Sequence, residues 1–300
     1  KLEQLYTGCL SEAAYYVESE GEVAIIDPLR ETSPYTELAE ANNAKIKYIF
    51  ETHFHADFVS GHVDLAKKSG ATIIYGPTAE TGYDAHIAED GEIFEIGKVK
   101  IKVLHTPGHT PESSTYLLYD EEGKEHAIFS GDTVFIGDVG RPDLAVKTDL
   151  TREDLAGMLY DSIWNKIMPL PDNVLVYPAH GAGSLCGKNM SSETFSTLGE
   201  QRKTNYALQE MSKADFIAQV TEGIPAAPQY FPKNAAINKG GYEEIDNVMA
   251  KGNVALSPDE FEKRMHEGVL VLDGRHHEEF GKGHVPGTLN INLDGSFAVW

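Results

Sequence analysis

Four short apolar runs in this chain each end in a tight turn that carries a histidine or an aspartate, and this recurrence limits the fold more than any other feature. Lys47-Tyr48-Ile49-Phe50 runs into Glu51-Thr52-His53-Phe54-His55-Ala56-Asp57-Phe58. A second run leads to His105-Thr106-Pro107-Gly108-His109-Thr110, a third to Ser130-Gly131-Asp132-Thr133, and a fourth to Tyr177-Pro178-Ala179-His180-Gly181. A strand that delivers its polar residues only at its end is a rigid support for a loop site. Neutral imidazoles and carboxylates gathered this way suit a zinc or iron ion. His53, His55, Asp57, His109, Asp132 and His180 are therefore the candidate ligands and their neighbours.

The rest of the chain sets the context for those turns. Runs at Val23–Ile26, Thr72–Tyr75, Glu92–Ile96, Val99–Leu104, Ser114–Tyr119, His126–Phe129 and Val174–Tyr177 read as strands. Helical spacing appears over Val63–Ser69, Arg152–Met168 and Thr194–Met211. Paired strands with occasional helices predict a layered α/β protein rather than a strict parallel βαβ array. Prolines 225, 228 and 232 and the Asn238-Lys239-Gly240-Gly241 stretch read as punctuation rather than as an element. A new helix starts at Ser257-Pro258-Asp259 and leads to Val269-Leu270-Val271-Leu272, expected as a buried strand. The expected division is a site-bearing domain over 1–235, a linker over 236–256 and the opening of a second domain over 257–300.

Charge and cysteine content exclude some functions. A formal net charge of -22 argues against nucleic acid or an anionic membrane as the main partner, while leaving room for a small substrate. Two cysteines, Cys9 and Cys186, are no disulfide framework and fit a reducing compartment. No apolar run approaches the length that crosses a bilayer, and the start KLEQLYTGCL has no basic-then-apolar leader pattern. A cytoplasmic protein, possible as a homo-oligomer, is the expectation.

The series His-x-His-x-Asp, Pro-Gly-His-Thr, Gly-Asp-Thr and Pro-Ala-His resembles the motifs of the metallo-β-lactamase superfamily. That resemblance implies an αββα sandwich with the metal along one edge of its two sheets. The superfamily's widespread motif ends in a further histidine that serves a second metal, and Phe58 stands at that position. The dinuclear glyoxalase II type of thioester hydrolase is thereby disfavoured against a single-metal site.

The run Thr52-His53-Phe54-His55-Ala56-Asp57-Phe58-Val59-Ser60-Gly61-His62, with Gly140-Arg141-Pro142-Asp143-Leu144 and His180-Gly181-Ala182-Gly183, is similar to persulfide dioxygenases, particularly bacterial forms fused to rhodanese-like domains. The resemblance implies one Fe(II) per chain on His53, His109 and Asp132, a two-histidine, one-carboxylate triad with open positions. It implies O2 and a low-molecular-weight thiol persulfide as co-substrates, with sulfite and thiol as products. His55, Asp57 and His180 would orient ligands and water. Arg141 would meet the substrate's carboxylate, or else pair with Asp143. The tyrosine that single-domain relatives carry after Pro-Ala-His is replaced by Gly181 and Ala182. Near the other end, Leu272-Asp273-Gly274-Arg275 and Gly283-His284-Val285-Pro286-Gly287 resemble the first half of a rhodanese-like domain. The catalytic cysteine of that family lies beyond this half, and no cysteine follows Cys186 in the sequence. The fold class expected is thus an α/β sandwich followed by an incomplete α/β rhodanese-like segment. His62, His86, His105 and His126 read as surface or hydrogen-bonded side chains, and Cys186 as a buried thiol rather than a reactive one.

Overall fold

The computed structural model describes residues 1–145 and 150–294. It divides into two compact units, Lys1–Tyr242 and Glu243–Trp300.

The first unit is built on two six-stranded sheets. One runs in the order β1 (Leu2–Thr7), β2 (Glu12–Ser19), β3 (Glu22–Ile26), β4 (Lys45–Phe50), β5 (Thr72–Tyr75) and β6 (His86–Ile87). The other comprises β7 (Ile93–Ile96), β8 (Val99–His105), β9 (Ser114–Tyr119), β10 (Glu125–Gly131), β11 (Leu175–Pro178) and β12 (Ser196–Thr197), again neighbour to neighbour. β3, β4 and β5 are parallel, as are β10 and β11; the pairs β7–β8, β8–β9 and β9–β10 are antiparallel.

Alternate residues of the strands face opposite ways, and both faces are covered. Tyr15, Val17, Ala24, Ile26 and Phe50 of the first sheet meet Ile101, Val103, Tyr116, Ala127 and Phe129 of the second in one core. The other faces of β2 and β3, with Tyr16, Val23 and Ile25, pack under α1 (Ser33–Ala41) and α2 (His62–Ser69) through Tyr35, Ala39 and Leu65. The outer face of the second sheet, with Leu117, Ile128 and Val176, takes Ala156 and Leu159 of α3 (Arg152–Ser162). Layers therefore run helix, sheet, sheet, helix, as the motif resemblance implied. A Leu or Phe side chain moved from water into such a core contributes about 1.5–3 kcal/mol.

Three local expectations are corrected. The helix expected over Thr194–Met211 is reduced to α4 (Leu198–Thr204), because buried Asn205 ends it. The Asn205 amide donates to the carbonyls of Phe135 and Asp138, and its oxygen accepts from Ala207 N–H. After α5 (Lys213–Thr221), the proline-rich stretch leads into a true helix, α6 (Phe231–Gly240), with Pro232 in its first turn, where the missing N–H costs nothing. α6 and α7 (Ile245–Gly252) occupy most of the stretch expected to be a linker.

In the second unit, α8 (Pro258–His266) begins at a Ser257–Glu260 capping box, as its Ser-Pro start predicts. Leu272–Asp273 (β13) and Leu289–Asn290 (β14) form a short parallel pair, with α9 (His277–Lys282) between them in sequence. The buried strand expected over Val269–Leu272 is not buried: Leu270 is 67% exposed, and only Leu272 joins the pair. No helix among the described residues is long and apolar enough to cross a membrane.

Candidate metal centre

The loops that follow β4, β8, β10 and β11 meet at one edge of the sandwich. The meeting depends on backbone that only glycine supplies. Gly131 has φ +53°, and a Cβ there would lie 2.6 Å from Thr52 Cβ. Gly108, at φ +151°, would place a Cβ 2.4 Å from Leu159 Cβ.

His53, His109 and Asp132 are each at most 2% exposed, and their ligand atoms lie within 4.8 Å of one another. His109 Nε2 is 3.3 Å, and His53 Nε2 3.8 Å, from Asp132 Oδ2. The hydrogen bonds behind these atoms fix which nitrogens are free. His109 Nδ1–H donates to the carbonyl of Arg141 at 2.9 Å, an oxygen that can only accept. Thr52 Oγ1–H donates to Asp27 Oδ2 at 2.8 Å, so Thr52 Oγ1 accepts from His53 Nδ1–H at 3.0 Å. Both imidazoles thus turn an Nε2 lone pair to the same point as Asp132 Oδ2. His53 Nε2 and Asp132 Oδ2 are buried with no hydrogen-bond partner. Leaving such atoms unpaired costs about 1–3 kcal/mol each, and a divalent cation removes that cost. The donor set fits a zinc or ferrous ion.

Electrostatics agree with the geometry. Burial, followed by the nearby His55, holds His53 well below the ordinary imidazole range, so it is neutral. Burial acts to raise Asp132, but His180, His109 and His53 outweigh it and keep the carboxylate ionised.

His180, Asp57 and His55 lie beside this triad. His180 Nδ1–H donates to Asp132 Oδ1 at 2.7 Å, and its Nε2 is 2.8 Å from Asp57 Oδ2. Burial works against the imidazolium, but Asp132 and Asp57 together raise His180 well above the usual range. His180 Nε2 makes no hydrogen bond, and His55, Asp57 and His180 form a second group able to hold a metal ion. His55 Nε2 lies 3.1 Å from Asp27 Oδ1 without a hydrogen bond to it, and the His55 ring lies 4.4 Å from that of Phe58. Phe58 therefore stands beside this second group without adding a ligand to it.

Arg141 makes the ion pair that was one of its two expected roles. Its guanidinium is spent on Asp143, at 2.6 and 2.8 Å, and on the carbonyls of Pro225 and Leu185, at 2.6 and 3.2 Å. Of its two expected roles, the structure shows the ion pair; it reaches the site only through the carbonyl that receives His109.

Several participants carry no motif signal. Asp27 ends β3 at φ +49° and accepts from both Thr52 N–H and Thr52 Oγ1–H. Glu12 is fully buried, and burial raises its carboxyl well above the usual range, so it is protonated. The Cys186 thiol is buried near Asp132 and His180, and burial pushes it up, as expected of an unreactive thiol. Asn238 of α6 donates to the carbonyls of His55 (2.7 Å) and Phe58 (2.8 Å), and accepts from Ser60 N–H (2.9 Å).

His62 is no surface residue: it is fully buried, with Nδ1 3.5 Å from Glu51 Oε1. Burial, with smaller contributions from His55 and Arg30, lowers it from 6.5 to about 3. A histidine depressed on folding contributes stability above its unfolded value, and that contribution is lost as pH falls toward the folded one. By pH 5 the loss is about 2 kcal/mol. Between pH 7 and 5, urea denaturation of His62→Gln should therefore fall by about 2 kcal/mol less than that of the parent chain. Parallel losses in the two proteins would refute this.

A two-sheet sandwich with a convergent His, His, Asp edge defines a metal-dependent enzyme. Residues 7–180 match the family profile described as the metallo-beta-lactamase superfamily, and the chain belongs to that superfamily. It is 32% identical to the mitochondrial persulfide dioxygenase ETHE1 of Bos taurus, over 61% of this chain and 65% of that one. It is 33% identical to a hydroxyacylglutathione hydrolase of Dictyostelium discoideum, over 55% of this chain and 59% of the relative. The chain thus spans less than two thirds of either relative's length. Among solved structures, a metallo-beta-lactamase from Staphylococcus aureus superimposes with a TM-score of 0.86 at 36% identity, covering 99% of this chain and 86% of that one. Relatives named for two different reactions thus stand at similar identity.

Proposed function

We propose that this chain is a mononuclear non-haem iron dioxygenase that oxidises a low-molecular-weight thiol persulfide. The observation that carries the reading is Phe58, which lies against His55 and adds no ligand to the second group of donors. His53, His109 and Asp132 form a donor set of the facial-triad kind that leaves open positions, beside a second group of donors, His55, Asp57 and His180.

The reaction balances as RSSH + O2 + H2O → RSH + sulfite + 2 H⁺, the outer sulfur losing four electrons to O2. Ferrous iron, when bound, supplies the redox chemistry and holds the two reactants side by side. His53 and His109 each turn Nε2 to the site because their Nδ1–H groups donate to Thr52 Oγ1 and to the Arg141 carbonyl. Asp132 keeps its charge because the His180 imidazolium lies on its second oxygen. Asp57 pairs with that imidazolium from the far side. The segment 257–300 is proposed as the first part of a rhodanese-like domain; its bidentate Asp273–Arg275 pair steadies the loop after β13. It contains no cysteine to accept sulfur.

Similarity to a hydroxyacylglutathione hydrolase supports a second reading, a zinc thioesterase acting through metal-bound water. Anaerobic reconstitution with Fe(II), followed by O2 uptake and sulfite assay with thiol persulfides, separates the two. Equal consumption of O2 and persulfide with sulfite as product is expected. Hydrolysis of a hydroxyacylglutathione by the zinc-loaded protein, with no O2 uptake by the iron-loaded one, would overturn the proposal.

A further inference from the structure

We propose that a ladder of three buried threonine hydroxyls sets the spacing of His109 and Asp132, with Thr106 and Thr133 as positioning residues for the metal. The proposal rests on the triad and not on the reaction carried out there. Thr106 follows β8, Thr133 follows β10 and Thr115 lies at the start of β9, and each is at most 1% exposed. Thr106 Oγ1 is 3.0 Å from Thr115 Oγ1 and 2.9 Å from Thr133 Oγ1. A hydroxyl has one proton, so Thr106 donates along one of these bonds and accepts along the other. The ladder runs in one direction, with Thr106 at its centre.

Both ligands lie on segments closed by their own backbone. Thr106 N–H donates to the Ser113 carbonyl at 2.9 Å and Gly108 N–H to the Thr110 carbonyl at 3.0 Å, so 106–113 holds together around His109. Thr133 N–H donates to the Ser130 carbonyl at 2.9 Å, which closes the turn around Asp132. The Thr106–Thr133 bond joins these two segments directly, three residues before one ligand and one residue after the other. His109 Nε2 and Asp132 Oδ2 stand 3.3 Å apart, and this is the separation the bond sets.

A buried hydroxyl gives up water and needs a partner, whereas valine has nearly the same shape and needs none. Threonine at all three positions therefore points to the bonds themselves. Two hydroxyl oxygens approach to 2.9 Å here, but a carbon and an oxygen approach only to about 3.3–3.6 Å and two carbons to about 3.5–4.0 Å. Changing one hydroxyl to a methyl thus wedges the two segments apart by about half an ångström, the tolerance within which a metal constellation has to be held.

The test uses Co(II) as the probe, because its visible bands report ligand geometry without turnover. Thr106→Val and Thr133→Val should each weaken Co(II) binding about tenfold and shift those bands. The double variant should be close to either single one, since the second change removes a bond already broken. Thr133→Ser keeps the hydroxyl and should return both affinity and bands to those of the parent chain. Urea denaturation of the metal-free proteins measures the structural part separately. If Thr133→Val does not fold, Thr133→Ala, which removes the hydroxyl and adds no methyl, is read by the same criteria. A hydroxyl-free variant that is less stable but keeps the parent's affinity and bands would overturn the inference. Additive losses, about hundredfold in the double variant, would overturn it as well. A parent chain that binds no Co(II) would overturn the triad itself, and the positioning with it.

Discussion

Protein reconstituted with Fe(II) and desalted should hold about one iron per chain, the occupancy of a mononuclear triad, and Asp132→Asn or His109→Ala should hold almost none. The expectation rests on three atoms, His53 Nε2, His109 Nε2 and Asp132 Oδ2, which converge with their other hydrogen bonds already made. Removing the partners behind a ligand ordinarily costs about 10–100-fold in metal affinity, so removing a ligand itself should exceed 100-fold. Dioxygenase activity should fall with the iron. Asp27→Asn provides a graded comparison. It weakens the Thr52 bond that sets the His53 tautomer but touches no ligand atom, and should stay within about 10–100-fold. Elemental analysis with circular dichroism, to confirm folding, checks the series. Two tightly held zinc ions per parent chain, or an Asp132→Asn protein that keeps its iron, would defeat the mononuclear reading.

That series draws on residues of two kinds, and they were not equally legible in the sequence. His53, His109, Asp132 and His180 follow strands whose ends are marked by Pro, Gly or a polar run, so their convergence could be expected before any coordinates. Asp27 also ends a strand, but an Asp-Pro turn occurs at the end of many strands, and its bond to Thr52 is visible only in three dimensions. Arg141 is a reading the sequence left open: a motif arginine next to a ligand loop suggests either substrate or its neighbour Asp143, and its guanidinium is bonded to Asp143 and two carbonyls.

Whole elements were missed for related reasons. β2 reads Glu-Ala-Ala-Tyr-Tyr-Val-Glu-Ser, and no polar alternation marks it, because both of its faces are buried. α6 lies between proline and glycine signals that ordinarily mean a loop. Pro232 is tolerated in its first turn, and Gly240 and Gly241 fall at its end, so the punctuation bounds a helix. The opposite error fell on Val269–Leu272, where an apolar run suggested burial and the side chains are largely exposed.

α6 is also where the second large effect is expected. Asn238→Ala should cost the first unit about 3 kcal/mol or more and loosen the metal by about 10–100-fold. Asn238 lies about 180 residues along the chain from the loop it holds, and the three hydrogen bonds of its side chain end on backbone of residues 55–60. Those residues include His55 and Phe58, so the amide sets the path of the loop that carries His53 and Asp57. Truncation to alanine leaves two buried carbonyls and one buried N–H without partners, each at about 1–3 kcal/mol where no water enters. Asn238→Asp is the sharper variant. Its carboxylate can still accept from Ser60 N–H, but it would turn an oxygen toward the His55 and Phe58 carbonyls where the parent chain has an amide donor. Asp should therefore be no better than Ala, although it is the closer match in shape. Chemical denaturation of both variants, with iron affinity from competition against a chelator, supplies the two readouts. A variant that loses stability but binds iron as tightly as the parent would reduce Asn238 to a structural clamp. Loss of both together is the result expected of a residue that positions the metal loop from the far end of the domain.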